Sequence, residues 1–379
     1  MTRLPDFRLE TYFSRWEFTA RHHLTASDVE TMTLSELLAL ADDRDRDAFE
    51  HLSLGYTETF GDPGLREAIA ATYDLAGPDD VICFAGAEEA LYLAMNVLLG
   101  PGDHAVVVTP NYQAAETVPL ALCEVTGVAL DPDLDWALDL DRVRDALRPN
   151  TRVLSVNFPN NPTGKVIDAA DFAALVRLCD ERGIHLFSDE VYRGLERDPA
   201  RTLPQAADLS PHALSLNVTS KALGLPGLRI GWIACRDREL RSRLERAKHY
   251  TTICNSAPSE VLARIALKAR DTILDRNRAL LAANLPAFEA FFADADFAEL
   301  FDWQAPDGGC VAYPRYLGAE GVETFCTRLV EEAGVLLLPA SIYRSELTPS
   351  PTDRFRIGLG RRAPEDGLAA LADWLRTKR

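Results

Sequence analysis

Between residues 79 and 235, seven short apolar runs alternate with segments of helical spacing, and this alternation constrains the chain more than any other feature. The runs are 79–86, 104–109, 123–130, 151–158, 184–189, 213–218 and 228–234. Several are continuously apolar and rich in Val and Ile, as strands buried on both faces must be. Helical patterns at 87–99, 168–183 and 237–250 lie between them, with Gly183 where a C-terminal cap belongs. Such an order predicts an α/β fold with a mostly parallel seven-stranded sheet wrapped by helices. In sheets of that kind, ligands sit beyond the carboxyl ends of the strands.

The remainder reads as a second, smaller unit. One long helical region is expected over 259–296, then a glycine-containing stretch at 305–316, a helix near 323–333, a strand at 335–339, the segment RFRIGLG (354–360) and a last helix. The first 50 residues are amphipathic, helical in pattern and outside the central alternation.

Charge and composition then remove whole classes of function. With 40 Lys+Arg against 58 Asp+Glu, the net charge of −18 disfavours a general partner such as nucleic acid or an anionic membrane. A local positive pocket for an anion remains compatible with it. A membrane span is not expected, because apolar runs stay far short of roughly 18 residues. The first 16 residues lack the apolar stretch of a secretion signal, being interrupted by Asp6, Arg8, Glu10 and Arg15. Seven scattered cysteines without CxxC spacing read as reduced thiols of a cytoplasmic protein, and no metal site is expected.

Only five lysines occur: 165, 221, 248, 268 and 378. Lys221 stands apart, following an apolar strand in a loop dense in Ser, Thr and Gly. An amine in partly dry surroundings has a lowered pKa and can form a Schiff base. Three other strand ends add to it. FPNNPTG (158–164) presents Asn161, SDEVY (188–192) presents Asp189 and Tyr192, and Arg229 follows Lys221 by eight residues. Singly these residues are a turn former, a helix cap, a core-edge ring and a surface cation. Together they set an amine, an acid, a neutral hydrogen-bonding pair and a phosphate-sized cation along one edge.

Asn-Pro-Thr-Gly, Asp-Glu-Val-Tyr and Ser-Lys-Ala-Leu-Gly-Leu-Pro-Gly-Leu-Arg-Ile-Gly, in that order, resemble the class I/II aminotransferases of PLP fold type I. The resemblance extends over nearly all the chain from residue 53. YTETFGDPGLREAIA (56–70) is similar to the family's tyrosine-glycine-LREA segment, GAEEAL (86–91) to its phosphate-cup turn, PNYQ (110–113) to its ring-stacking position and RFRIG to its carboxylate-binding arginine.

The resemblance implies pyridoxal 5′-phosphate as cofactor and a role for each match. Lys221 would hold the cofactor as a Schiff base and then move the substrate's Cα proton. Asp189 would keep the pyridine nitrogen protonated, while Asn161 and Tyr192 would bond the phenolic oxygen. Tyr112 would stack on the ring. Gly86, Ala87 and Glu88 would receive the phosphate at a helix N-terminus, with Arg229 as a bidentate cation. Tyr56 would reach the phosphate of a neighbouring subunit, which implies a homodimer with shared sites. Arg356 would clamp the α-carboxylate of a small-molecule amino acid substrate.

Two departures matter. Val218 stands where the family commonly has a phosphate-binding Ser, leaving Thr219 or Ser220 to supply the hydroxyl. The amino terminus lacks the family's usual glycine-proline strand and is similar instead to capreomycidine-synthase-like members, which perform elimination, cyclisation or oxidation. GLPGLR also resembles aminocyclopropane carboxylate synthases, which act on S-adenosylmethionine. The expected function is an aminotransferase acting on an α-amino acid, with a lyase, cyclase or oxidase of the same fold as alternative. If the amino terminus folds over the site, Asp28 is the expected partner of a cationic substrate side chain, with His22 or His23 as a second base. The expected organisation is an N-terminal segment (1–50) belonging to the small domain, a large cofactor-binding domain (51–285) and a C-terminal small domain (286–379).

Overall fold

The computed structural model describes residues 4–378. The chain opens with the helix Arg8–Trp16 and a two-residue strand, β1 (His22–His23), before the central sheet begins. That sheet is built from β2 (Val81–Phe84), β3 (His104–Thr109), β4 (Glu124–Ala129), β5 (Thr151–Asn157), β6 (His185–Asp189), β7 (Ala213–Val218) and β8 (Gly231–Ala234). Their order across the sheet is β2-β8-β7-β6-β5-β3-β4. All run the same way except β8, which is antiparallel to both of its neighbours. The apolar runs are strands because they have helices on both faces: every residue of β2, β3 and β8 is buried.

One consequence of the topology concerns function. The strands that run together bring their carboxyl ends to one edge, and the reversed β8 brings its amino end there. Arg229, which precedes β8, therefore reaches the same edge as Asp189 and Lys221, which follow or end β6 and β7.

Two expectations are corrected. The helical region near 259–296 is two helices, Ala257–Lys268 and Arg270–Ala293, broken at Ala269. The apolar stretch 335–339 is split as well. After β9 (Phe301–Asp302), β10 (Val311–Ala312) and β11 (Arg315–Tyr316), it supplies β12 (Val335–Leu336) and β13 (Leu338–Pro339) to two different sheets. β12 pairs in parallel with β1, while β13 lies antiparallel to β14 (Phe355–Gly358), whose other edge holds β10. Leu337, between the two, belongs to neither sheet, and all five residues are buried.

The amino terminus divides its contacts. Arg8 donates to the carbonyls of Ile342 (3.3 Å) and Arg344 (2.6 Å), and Tyr12 Oη donates to Leu337 O (3.2 Å), which ties the first helix to the C-terminal unit. The helices Leu34–Ala39 and Asp43–Glu50 pack instead on Ala257–Lys268. There the buried Asp45 pairs with Arg264 (2.9 Å) and Lys268 (2.6 Å).

Candidate active site

The strand edge opens on a cavity of ≈ 260 Å³, lined among others by Asn157, Asn161, Asp189, Tyr192, Ser220, Lys221 and Arg229. Tyr112, Ala87 and Glu88 line it too, as do Leu9, Glu10 and Phe13 of the first helix. A larger cavity, ≈ 330 Å³, lies between Leu195–Pro199 and the helix Arg270–Ala293. It is mainly apolar and holds none of the residues singled out above.

Lys221 Nζ donates to Ser27 Oγ at 2.9 Å. Burial holds its pKa below the ordinary lysine value, although Asp28 and Asp189 pull the other way. Asp189, at the end of β6, is pushed up to about 6 by burial, against the pull of the Val191 N–H and of Lys221. A buried carboxylate of this kind is suited to a cationic partner. Tyr192 Oη donates to the backbone carbonyl of Ser27 at 3.0 Å.

The phosphate-sized end is shaped by backbone. Gly86, at φ +104°, precedes the helix Ala87–Leu98, whose first turn has no side-chain cap among the described residues. Its N–H groups are thus free to bind an anion. A Cβ on Gly86 would lie 2.6 Å from Arg229 Nη2, so only glycine lets the guanidinium approach. A Cβ on Gly231 would meet Gly86 C at 2.7 Å and Ala87 N at 2.8 Å. Arg229 itself takes a left-handed backbone, φ +53°, rare for a residue with a side chain.

Two buried polar atoms lack partners here among the described residues: Ser220 Oγ and Arg356 Nε. Buried groups are nearly always bonded, so both ask for a ligand. Ser220 lines the cavity wall. Arg356 is fully buried on β14, where Nη1 donates to Tyr343 Oη (2.6 Å) and Asn161 Oδ1 (3.3 Å) and Nη2 to Thr25 O (2.6 Å). Ser220, Arg229 and the uncapped helix end fit a phosphate. Asp189 fits a pyridinium, Lys221 an aldehyde and Arg356 a carboxylate. The residues therefore fit pyridoxal 5′-phosphate and an amino acid.

Glu88 lies in the first turn of that helix, and burial together with Glu10 and Asp189 pushes it up to about 7. Tyr112 presents its ring to the cavity and packs at 5.2 Å on Phe7.

Three expected residues are placed elsewhere. Thr219 is fully buried but does not line the cavity: its hydroxyl lies within reach of the carbonyls of Ile230 (3.1 Å) and Leu225 (3.3 Å), and the loop needs it to hold its shape. Asp28 is taken by Arg361 at 2.8 Å rather than left open to a substrate cation. Tyr56 is 93% exposed and does not line this chain's own cavity. Of the two histidines, His23 packs on Phe13 (5.7 Å), while β1 holds both in pairing with β12.

Sequence reasoning missed Ser27, Thr25 and Tyr343, which touch the lysine or the arginine. No local signal marks them. It also missed a second buried lysine, Lys248, whose Nζ donates to the carbonyls of Thr59 (2.6 Å) and Cys83 (2.7 Å) and braces β2 from inside.

Residues 24–372 match the family model described as aminotransferase class I and II. A capreomycidine synthase of Streptomyces vinaceus is 32% identical, over 99% of this chain and 95% of that one. A probable N-succinyldiaminopimelate aminotransferase of Mycobacterium tuberculosis is also 32% identical, over 75% and 73%. Among solved structures, a PLP-dependent aminotransferase from Streptococcus suis superposes with a TM-score of 0.91 at 28% identity, covering 99% and 98% of the two chains. A PLP-dependent cyclase, OrfR, gives 0.88 at 26%, covering 100% and 98%. With the lysine, the acid and the anion cradle on one sheet edge, the chain belongs to the class I and II aminotransferase family, as a PLP-dependent enzyme of fold type I.

Proposed function

We propose that the protein transfers the amino group of an α-amino acid to a keto acid, with Lys221 as the group that takes and returns the substrate's Cα proton. The observation that carries this reading is a cavity holding Lys221, whose pKa burial lowers, with Arg356 directly behind its wall: Nη1 donates to the cavity-lining Asn161, and Nε has no partner among the described residues. When bound, pyridoxal phosphate supplies an electron sink that acidifies the Cα–H. The chain supplies the rest. Arg356, steadied by Tyr343 and Asn161, grips the carboxylate, which sets the Cα–H within reach of one amine. With the cofactor bound, Asp189 would hold a proton on the ring nitrogen. Asn161 and Tyr192 would bond the phenolic oxygen, and Tyr112 would stack on the ring. Gly86, Ala87, Glu88, Ser220 and Arg229 would receive the phosphate.

The exposed Tyr56 supports a homodimer in which this residue completes the partner subunit's phosphate site. A cytoplasmic location is part of the same reading; among the described residues no helix is long and apolar enough to cross a membrane. Residues 51–285 would form the cofactor domain and 286–379 a smaller unit that the first helix joins, whereas the helices at 34–50 pack on the cofactor domain.

A second reading, a lyase, cyclase or oxidase on the same scaffold, is favoured by one observation. The capreomycidine synthase match runs almost end to end in both chains, unlike the aminotransferase match of equal identity. One experiment separates the two. The visible spectrum is followed as amino acids are added in air without a keto acid. Bleaching that a keto acid reverses supports amino transfer. Continued turnover with no keto acid overturns it in favour of the second reading.

A further inference from the structure

The segment 24–30 is bonded across its length to parts of the chain far away in sequence. Leu24 O accepts from Gly358 N (2.9 Å), Thr25 O from Arg356 Nη2 (2.6 Å) and Ser27 O from Tyr192 Oη (3.0 Å). Arg361 donates to Val29 O (3.2 Å), and Glu30 N donates to Gly360 O (2.7 Å). Close contacts fix it further: a Cβ on Gly358 would stand 2.3 Å from Ala26 O, and one on Gly224 would stand 3.0 Å from Val29 O. Within this strap only Ser27 lines the cavity. Among the described residues, its Oγ is the hydrogen-bond partner of Lys221 Nζ.

We propose that Ser27 is a positioning residue for Lys221: its hydroxyl accepts an N–H from the free amine and holds it at a fixed place on the cavity wall. A lysine reaches its target on a flexible four-carbon stem with many rotamers. One acceptor at 2.9 Å, itself on a strap bonded along its length to distant parts of the chain, narrows that choice. Thr25 holds the carboxylate-binding arginine from the same strap, so the partners of the amine and of the carboxylate fork lie two residues apart in one segment. Other groups around Lys221 are Asp28, Asp189, Arg356 and Cys310; none of them is a hydrogen-bond partner of Nζ among the described residues. The inference rests on Lys221 being the reactive amine.

The test compares wild type with Ser27→Ala and Ser27→Thr. In the cofactor-free protein, Lys221 is labelled with acetic anhydride across a pH series and quantified by mass spectrometry. An oxygen accepting from Nζ favours the ammonium form, so its removal lowers the labelling midpoint. The expected drop in Ser27→Ala is roughly half a unit, about threefold in the neutral fraction below the midpoint, restored by threonine. In the holoenzyme, kcat falls roughly tenfold with KM within about twofold, again restored by threonine. Variants that melt with the wild type but leave the midpoint unchanged, or a threonine that behaves as alanine, overturn the proposal while leaving Lys221 in its role. A wild-type midpoint no lower than that of Lys378 removes both.

Discussion

Two stretches of chain wall the same cavity in different ways. The lysine loop, 218–231, is closed on itself: Val218 pairs with Gly231, Thr219 N donates to Ile230 O, Leu225 N to Thr219 O and Gly224 N to Lys221 O. The strap, 24–30, has almost nothing of its own and takes its shape from residues 192, 221, 356, 358, 360 and 361. The loop carries the proposed reactive amine and is shaped by local hydrogen bonds. The strap sets where those groups point. Reactivity on one side and alignment on the other should therefore fail differently when broken.

The largest expected effect is on the loop. Lys221→Ala should remove the covalent attachment of the cofactor and lower turnover by about 10³-fold or more, as loss of a covalent catalyst does. Borohydride reduction followed by mass spectrometry checks the first, and steady-state rates the second. Normal turnover in that variant would sink the assignment of the amine.

Next comes the partner of the strap. Arg356→Ala removes a buried cation that meets Thr25, Asn161 and Tyr343. A loss in kcat/KM of about 10²–10³-fold is expected, in line with 3–4 kcal/mol for a buried charge-assisted contact. It should be confined to substrates with a carboxylate. An amine lacking that group should react nearly as before, and an equal loss for both would turn Arg356 into a merely structural residue.

The third test concerns pH. Asp189 in the folded, cofactor-free protein titrates at about 6, above its ordinary 3.8. The folded state thus holds that proton more tightly than the unfolded chain. Its contribution to stability is complete below pH 4 and is lost as pH rises through 6. About two units correspond to about 3 kcal/mol at most. Denaturant melts of the cofactor-free protein should show this decline, and Asp189→Asn should flatten it. An unchanged slope in the variant would place the proton elsewhere, with Glu190 as the neighbouring acid, which burial pushes up to about 7.

The smallest effect is expected on the strap's rim. Asp28 is paired with Arg361 and half-buried, so Asp28→Asn should cost roughly 1 kcal/mol or less in stability. kcat/KM should change by less than about threefold for basic and neutral amino acids alike, as befits a contact outside the reacting groups. A selective loss for basic substrates would restore Asp28 as a substrate contact.

Legibility in the sequence followed the same division. The seven strands were visible because strands buried on both faces are written as unbroken apolar runs. Asn161, Asp189, Lys221 and Arg229 were visible because each sits within a few residues of a strand in a motif of several letters. Thr219 and Ser220 could not be told apart, since adjacent hydroxyls differ only in which way the loop turns them. Arg356 was found through its motif, but Tyr343, which bonds it from 13 residues earlier, was not. The break at Ala269 and the split of 335–339 went unseen because apolar spacing continues through both.

By itself, then, the sequence determined a mostly parallel sheet, through its pattern of hydrophobicity, and the cofactor, through motifs that resemble those of a known family and that include Lys221. Only the tertiary structure decided which hydroxyl lines the cavity, which carboxylate is already paired and which serine stands beside the lysine. The physical reason is distance along the chain. The contact between Ser27 and Lys221 spans 194 residues. No pattern within either segment encodes it, because it exists only once the strap has been laid between the sheet edge and β14.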